Sequence, residues 1–167
     1  GILHESEART NLFLRSNQFD TTWTLMRSSV NAAAGTSPSG LSDAWRWTNT
    51  STTPLLFQSN SYVVGEYTVS AWVKSNGAGK DEFRLWGENN KTSPNFTATS
   101  EWVRYSYTFT VTSATSGNGG LAYALGTDDV DILVYGLQLE AGSTPSSYIP
   151  TSGSTATRAA DLLTVPA

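Results

Sequence analysis

The stretch Tyr67-Thr68-Val69-Ser70-Ala71-Trp72-Val73-Lys74 decides the fold class. Side chains on a strand alternate between faces. Val69, Ala71 and Val73 therefore share one face, and Ser70, Trp72 and Lys74 the other. The next run, Glu82-Phe83-Arg84-Leu85-Trp86-Gly87-Glu88, repeats the pattern: Phe83 and Leu85 lie on one side, Glu82, Arg84, Trp86 and Glu88 on the other. The intervening Asn76-Gly77-Ala78-Gly79-Lys80-Asp81 reads as a hairpin-type turn. Both runs put aliphatic residues inward and a tryptophan outward among charges. Such a tryptophan is a flat stacking platform ringed by hydrogen-bonding groups, which suits the apolar C–H face and hydroxyl rim of a sugar.

Working outward, alternating or apolar runs predict strands at 11–15, 23–30, 44–53, 55–58, 102–112, 121–125 and 130–139. Residues 31–42 are rich in Ala, Gly, Ser and Pro and read as loop, and Gly117-Asn118-Gly119-Gly120 reads as a turn. About eight or nine short strands separated by turns indicate an all-β fold, a β-sandwich jelly roll of two antiparallel sheets. The body spans 1–140. The Ser-, Thr-, Pro- and Gly-rich segment 141–167 is expected to be an extended arm that packs back on the same domain and ends in a short strand at 162–165.

Composition narrows the function. Charged residues make up 14% and the net charge is −4, so the clustered Lys and Arg needed for a nucleic-acid backbone are missing. No apolar run approaches the length of a membrane-spanning helix. With no cysteine there is no disulfide framework or thiolate metal site. The first residues lack the basic and apolar regions of a signal peptide, so any targeting signal is expected to belong to a larger parent polypeptide or to have been removed.

Two stretches carry a resemblance. Glu7-Ala8-Arg9-Thr10-Asn11-Leu12, followed by Phe19 and Trp23, is similar to the start of jelly-roll domains of phage tail, fibre and spike proteins. Their ending resembles Gly136-Leu137-Gln138-Leu139-Glu140-Ala141-Gly142, then Pro145-Ser146-Ser147-Tyr148-Ile149-Pro150-Thr151, then Thr157-Arg158-Ala159-Ala160-Asp161. The 67–74 strand, and Trp102 with Tyr105, Tyr107 and Phe109, resemble carbohydrate-binding modules of the CBM4/9 type. The resemblance implies a non-catalytic module that binds a polysaccharide or oligosaccharide, appended to a virion protein or a polysaccharide-degrading enzyme and so extracellular or virion-associated. Such modules often hold a structural calcium between the first strand region and paired aspartates in the last strand. Here Asp20 matches the first part, but Val134-Tyr135-Gly136-Leu137 has no acid where the pair falls. Asp128, Asp129 and Asp131 are the substitute candidates.

The expected binding surface is one groove lined by Trp72 and Trp86, with Lys74, Arg84 and Glu88 supplying hydrogen bonds, the two cations leaning toward an acidic glycan. Trp45 and Trp47 are candidates to extend it; Trp23 and Trp102, each at a strand start, are expected to seal the core. A structural virion module whose aromatics pack on a neighbouring subunit, and a polysaccharide lyase or hydrolase, are the alternatives. Against catalysis, His4 is the only histidine, so a His-based triad or zinc site lacks its parts. Glu82 and Glu88 stand six residues apart on one strand, about 20 Å at strand rise, too far for a glycosidase pair.

Overall fold

The structure, a computed structural model, describes residues 5–161. His4 and the strand expected at 162–165 lie outside them. Twelve strands follow in order: β1 (Arg9–Asn11), β2 (Thr24–Met26), β3 (Ser28–Asn31), β4 (Trp45–Asn49), β5 (Leu55–Tyr62), β6 (Gly65–Ser75), β7 (Glu82–Trp86), β8 (Phe96–Thr97), β9 (Val103–Val111), β10 (Thr115–Tyr123), β11 (Asp131–Ala141) and β12 (Ala156–Arg158). They form two five-stranded antiparallel sheets, ordered β2-β5-β10-β7-β8 and β3-β4-β11-β6-β9, and a β1-β12 pair. The result is a jelly-roll sandwich.

Alternation sets which face is buried. Val69, Ala71 and Val73 of β6 point into the sandwich with Ile132 and Val134 of β11, and meet Leu56, Phe83, Leu85 and Leu121 of the other sheet. Phe13, Phe19, Trp23 and Trp45 close one end of the core, with ring centroids 4.8–5.6 Å apart. Trp23 is buried, as expected, and its indole N–H donates to the Arg15 carbonyl at 2.8 Å.

Three expectations about elements are corrected. The 23–30 run is two strands in different sheets. Arg27 takes a positive φ of 54° and carries the chain from one sheet to the other, a switch that a period of two cannot register. The Gly117–Gly120 run lies inside β10 rather than in a turn. These glycines answer close backbone approach: a Cβ at Gly119 would stand 2.2 Å from the Gly87 carbonyl oxygen, and one at Gly120 2.1 Å from that of Leu56. Trp102 is not core. It lies partly exposed on the outer side of the second sheet, where its Nε1 donates to the Thr36 carbonyl at 3.0 Å.

Residues 142–155 run back over the outer face of the second sheet. They bury Gln138 and Glu140, which point away from the core yet have no exposed surface. Glu140 accepts from Arg9 Nη1 at 2.8 Å, from the Ser146 amide at 2.8 Å and from Gln138 Nε2. Gln138 Oε1 in turn accepts from the Ile149 amide, and Asn11 Nδ2 donates to the carbonyls of Leu137 and Ile149. A buried carboxylate persists only when it is paired and fully hydrogen-bonded. The motif stretches at the two ends of the chain supply those partners to each other.

Candidate functional site

The two sheets place the expected groove residues on opposite sides of the molecule. Trp72 and Lys74 are on the outer face of the β3-β4-β11-β6-β9 sheet, whereas Arg84 and Trp86 are on the outer face of the β2-β5-β10-β7-β8 sheet. One groove holding both tryptophans is therefore ruled out. Alternation separates inside from outside on each of the two strands, but strands consecutive in sequence belong to different layers. Trp47, 0% exposed, and Trp45, 7% exposed, point inward beside Ile132 and Val134 and extend no outer surface. Glu88 is 7% exposed and lies 2.8 Å from Lys91 Nζ, which also donates to the Thr110 carbonyl of β9 in the other sheet.

The outer face of the first sheet is open in part: Ser59, Ser61 and Ser116 are exposed, Phe57, Trp86 and Asn118 half-buried, and Arg84 and Ala122 buried. Its outward residues are Thr24 and Met26 (β2), Leu55, Phe57, Ser59 and Ser61 (β5), Ser116, Asn118, Gly120 and Ala122 (β10), and Glu82, Arg84 and Trp86 (β7). The middle strand carries only small side chains. Trp86, Gly120 and Phe57 lie in one cross-strand row. With nothing on Gly120, the two rings meet edge-to-face over it, centroids 5.3 Å apart at 64°. The Trp86 indole N–H is fixed by the Asn89 carbonyl. Hydroxyls and amides of Ser59, Ser61, Ser116 and Asn118 continue along the strands from the aromatic pair.

Arg84 is 8% exposed, and its guanidinium is committed within the protein. Nε donates to the Tyr123 carbonyl at 2.7 Å, Nη1 donates to Thr92 Oγ1 at 3.0 Å, and the group lies 5.2 Å from the Tyr123 ring centroid. Arg84 therefore shapes the face rather than offering a free cation. Phe57 was not singled out from the sequence. The signal was there in the Leu55, Phe57, Ser59, Ser61 alternation and in the glycine of β10 opposite it.

The carboxylates weighed as calcium ligands do not gather at one place. Among the described residues no three His, Cys, Asp or Glu side chains gather as metal ligands. Asp131 is held instead by Arg46, at 2.9 and 2.8 Å, and by Asn76 at 2.9 Å. The hydrogen bonds from Arg46 keep its carboxyl below the usual range. Asp129 faces Lys80 at 3.6 Å, and Asp20 is exposed.

Two solved structures share this architecture. One is the CBM22-1 xylan-binding domain from Paenibacillus barcinonensis Xyn10C, at 12% identity and TM-score 0.58, covering 86% of this chain and 100% of that one. The other is the Clostridium thermocellum endo-1,4-beta-D-xylanase 10B CBM22-1–GH10 modules complexed with xylohexaose, at 18% identity and TM-score 0.53, covering 89% of this chain and 30% of that one. No family model matches the chain, and no curated protein matches its sequence. At these identities the likeness is one of fold alone, the β-sandwich jelly roll.

Proposed function

We propose that this chain is a non-catalytic carbohydrate-binding module that holds a neutral polysaccharide on the outer face of the β2-β5-β10-β7-β8 sheet. The observation that carries the reading is the partly exposed Phe57–Trp86 pair, set over a small-residue strand on this partly open face. The rings offer apolar platforms for sugar C–H faces. Ser59, Ser61, Ser116 and Asn118 offer hydrogen bonds to hydroxyls. The ligand is neutral because the only charged side chains among the outward rows named above are Glu82 and the committed Arg84. As the sequence resemblance implies, the module would serve an extracellular or virion-associated parent.

A stacked ring contributes roughly 1–3 kcal/mol by analogy with bases on aromatics. Two rings barely offset the free energy lost on association, so dissociation constants of about micromolar to millimolar are expected. Affinity electrophoresis of the folded protein through xylan, mixed-linked glucan and mannan tests this. Retardation by at least one is expected, and free migration through all of them would overturn the proposal.

A further inference from the structure

On the outer face of the second sheet a strip, the partly exposed row of Trp72 and Arg104, lies between the arm, which buries Ser70 and Gln138, and the 32–44 loop, whose Ser39 and Asp43 lie beside Tyr135. The loop crosses the row of Lys74 and Leu133: a Cβ at Gly35 would stand 3.8 Å from Leu133 Cδ1, and the Thr36 carbonyl binds Trp102. The arm crosses the row of Thr68, Thr108 and Glu140, through the carbonyls of Gly142 and Ser143 and the amide of Ser146. Between them lie Tyr135, Trp72 and Arg104 in register, followed by Ser70 and Ser106. Tyr148, 5.3 Å from Tyr135, stands at one end.

Two cations, Arg104 on the strip and Lys74 at its margin in the row that the loop crosses, have no carboxylate partner among the described residues. Arg104 donates from Nη2 to Ser70 Oγ at 3.2 Å, and its Nε is buried with no acceptor among the described residues. Burial pushes its pKa down, with Glu140 and Glu5 acting only at longer range and opposed by Arg158. Lys74 makes no ion pair or side-chain hydrogen bond among the described residues. By contrast Arg9 faces Glu140, Arg46 faces Asp131 and Lys91 faces Glu88, while Arg15, Arg27 and Arg84 are held by neutral oxygens. A guanidinium drawn out of water without a counter-charge is destabilising, and here it flanks a partly exposed tryptophan.

We propose that this strip is a second binding site, distinct from the Phe57–Trp86 face, and that it takes an acidic saccharide. Trp72 stacks on a sugar ring while Arg104 and Lys74 receive its carboxylate or sulfate. Diffuse attraction would not draw such a ligand, because the chain as a whole carries −4.

Calorimetric titration with uronate oligosaccharides, with a sulfated oligosaccharide and with a neutral one tests the site. The two acidic arms tell carboxylate from sulfate recognition. Binding of one or both is expected, weakened about tenfold or more in Trp72→Ala and in Lys74→Gln and unchanged in Trp86→Ala. Because Trp72→Ala can unfold the chain, the indole N–H resonances of the wild type are followed alongside; Trp72 should shift and Trp86 should not. The proposal is overturned if no acidic oligosaccharide binds, if folded Trp72→Ala binds as tightly as wild type, or if Trp86 is the indole that moves. None of these results bears on neutral-glycan binding at the other sheet.

Discussion

Glu140→Ala is the sharpest stability test, because so much of the chain's two ends converges on one side chain. The substitution leaves Arg9 Nη1 with only the Thr144 carbonyl, at 2.8 Å, and strips the Ser146 amide of its acceptor. Gln138 keeps weaker contacts to Ser146 and Ser147 at 3.3–3.4 Å. Breaking a buried ion pair from one side costs about 3–5 kcal/mol. At roughly 2–4 °C per kcal/mol for a domain of this size, Tm should fall by about 10 °C. Glu7 is the internal control. It lies 3.4 Å from the same arginine, but its side chain is 70% exposed, so Glu7→Ala should change stability by less than about 1 kcal/mol. Calorimetry with urea melts gives both values. Limited proteolysis should then find 143–155 cleaved early in Glu140→Ala. A loss below about 1 kcal/mol with the arm still protected would refute the buried latch.

Gly120→Ala should destabilise by about 3 kcal/mol or more, since a φ of +155° and a 2.1 Å approach to the Leu56 carbonyl leave no room for a methyl group; chemical denaturation checks it. Trp47→Ala should cost about 3–5 kcal/mol, while Trp47→Phe is milder because it also removes an indole N–H that is buried without an acceptor. Hydrogen bonds from Arg46 to Asp131, and from Ser147 to Glu5, lower both carboxyl pKa values on folding. Their stabilisation is full above the unfolded carboxyl pKa of about 4 and is lost as pH falls through the lower folded values. Tm should therefore decline below about pH 4, and less steeply in Asp131→Asn.

Alternation made the sandwich legible. Val69, Ala71, Val73, Phe83 and Leu85 are buried as their spacing requires. What alternation could not say is which sheet each outward residue joins. Layer assignment is long-range: β6 pairs with β9 and β11, and β7 with β8 and β10, so Trp72 and Trp86 part company although fourteen positions separate them. Glycine misled for a related reason. In β10 it marks a neighbouring backbone pressed close, and in a sequence that looks the same as a turn. The terminal motifs, read as a resemblance, have a physical job in the structure: Gln138, Glu140, Ser146 and Ile149 hold the arm to the sheet.

The most direct measurement is the affinity of Trp86→Ala for whichever neutral polysaccharide retards the wild type, set beside Trp72→Ala and a melting curve for each. If the β2-β5-β10-β7-β8 face is the sugar site, Trp86→Ala weakens binding by about tenfold or more while remaining folded, and Trp72→Ala leaves it unchanged. Undiminished binding in folded Trp86→Ala would contradict the assignment.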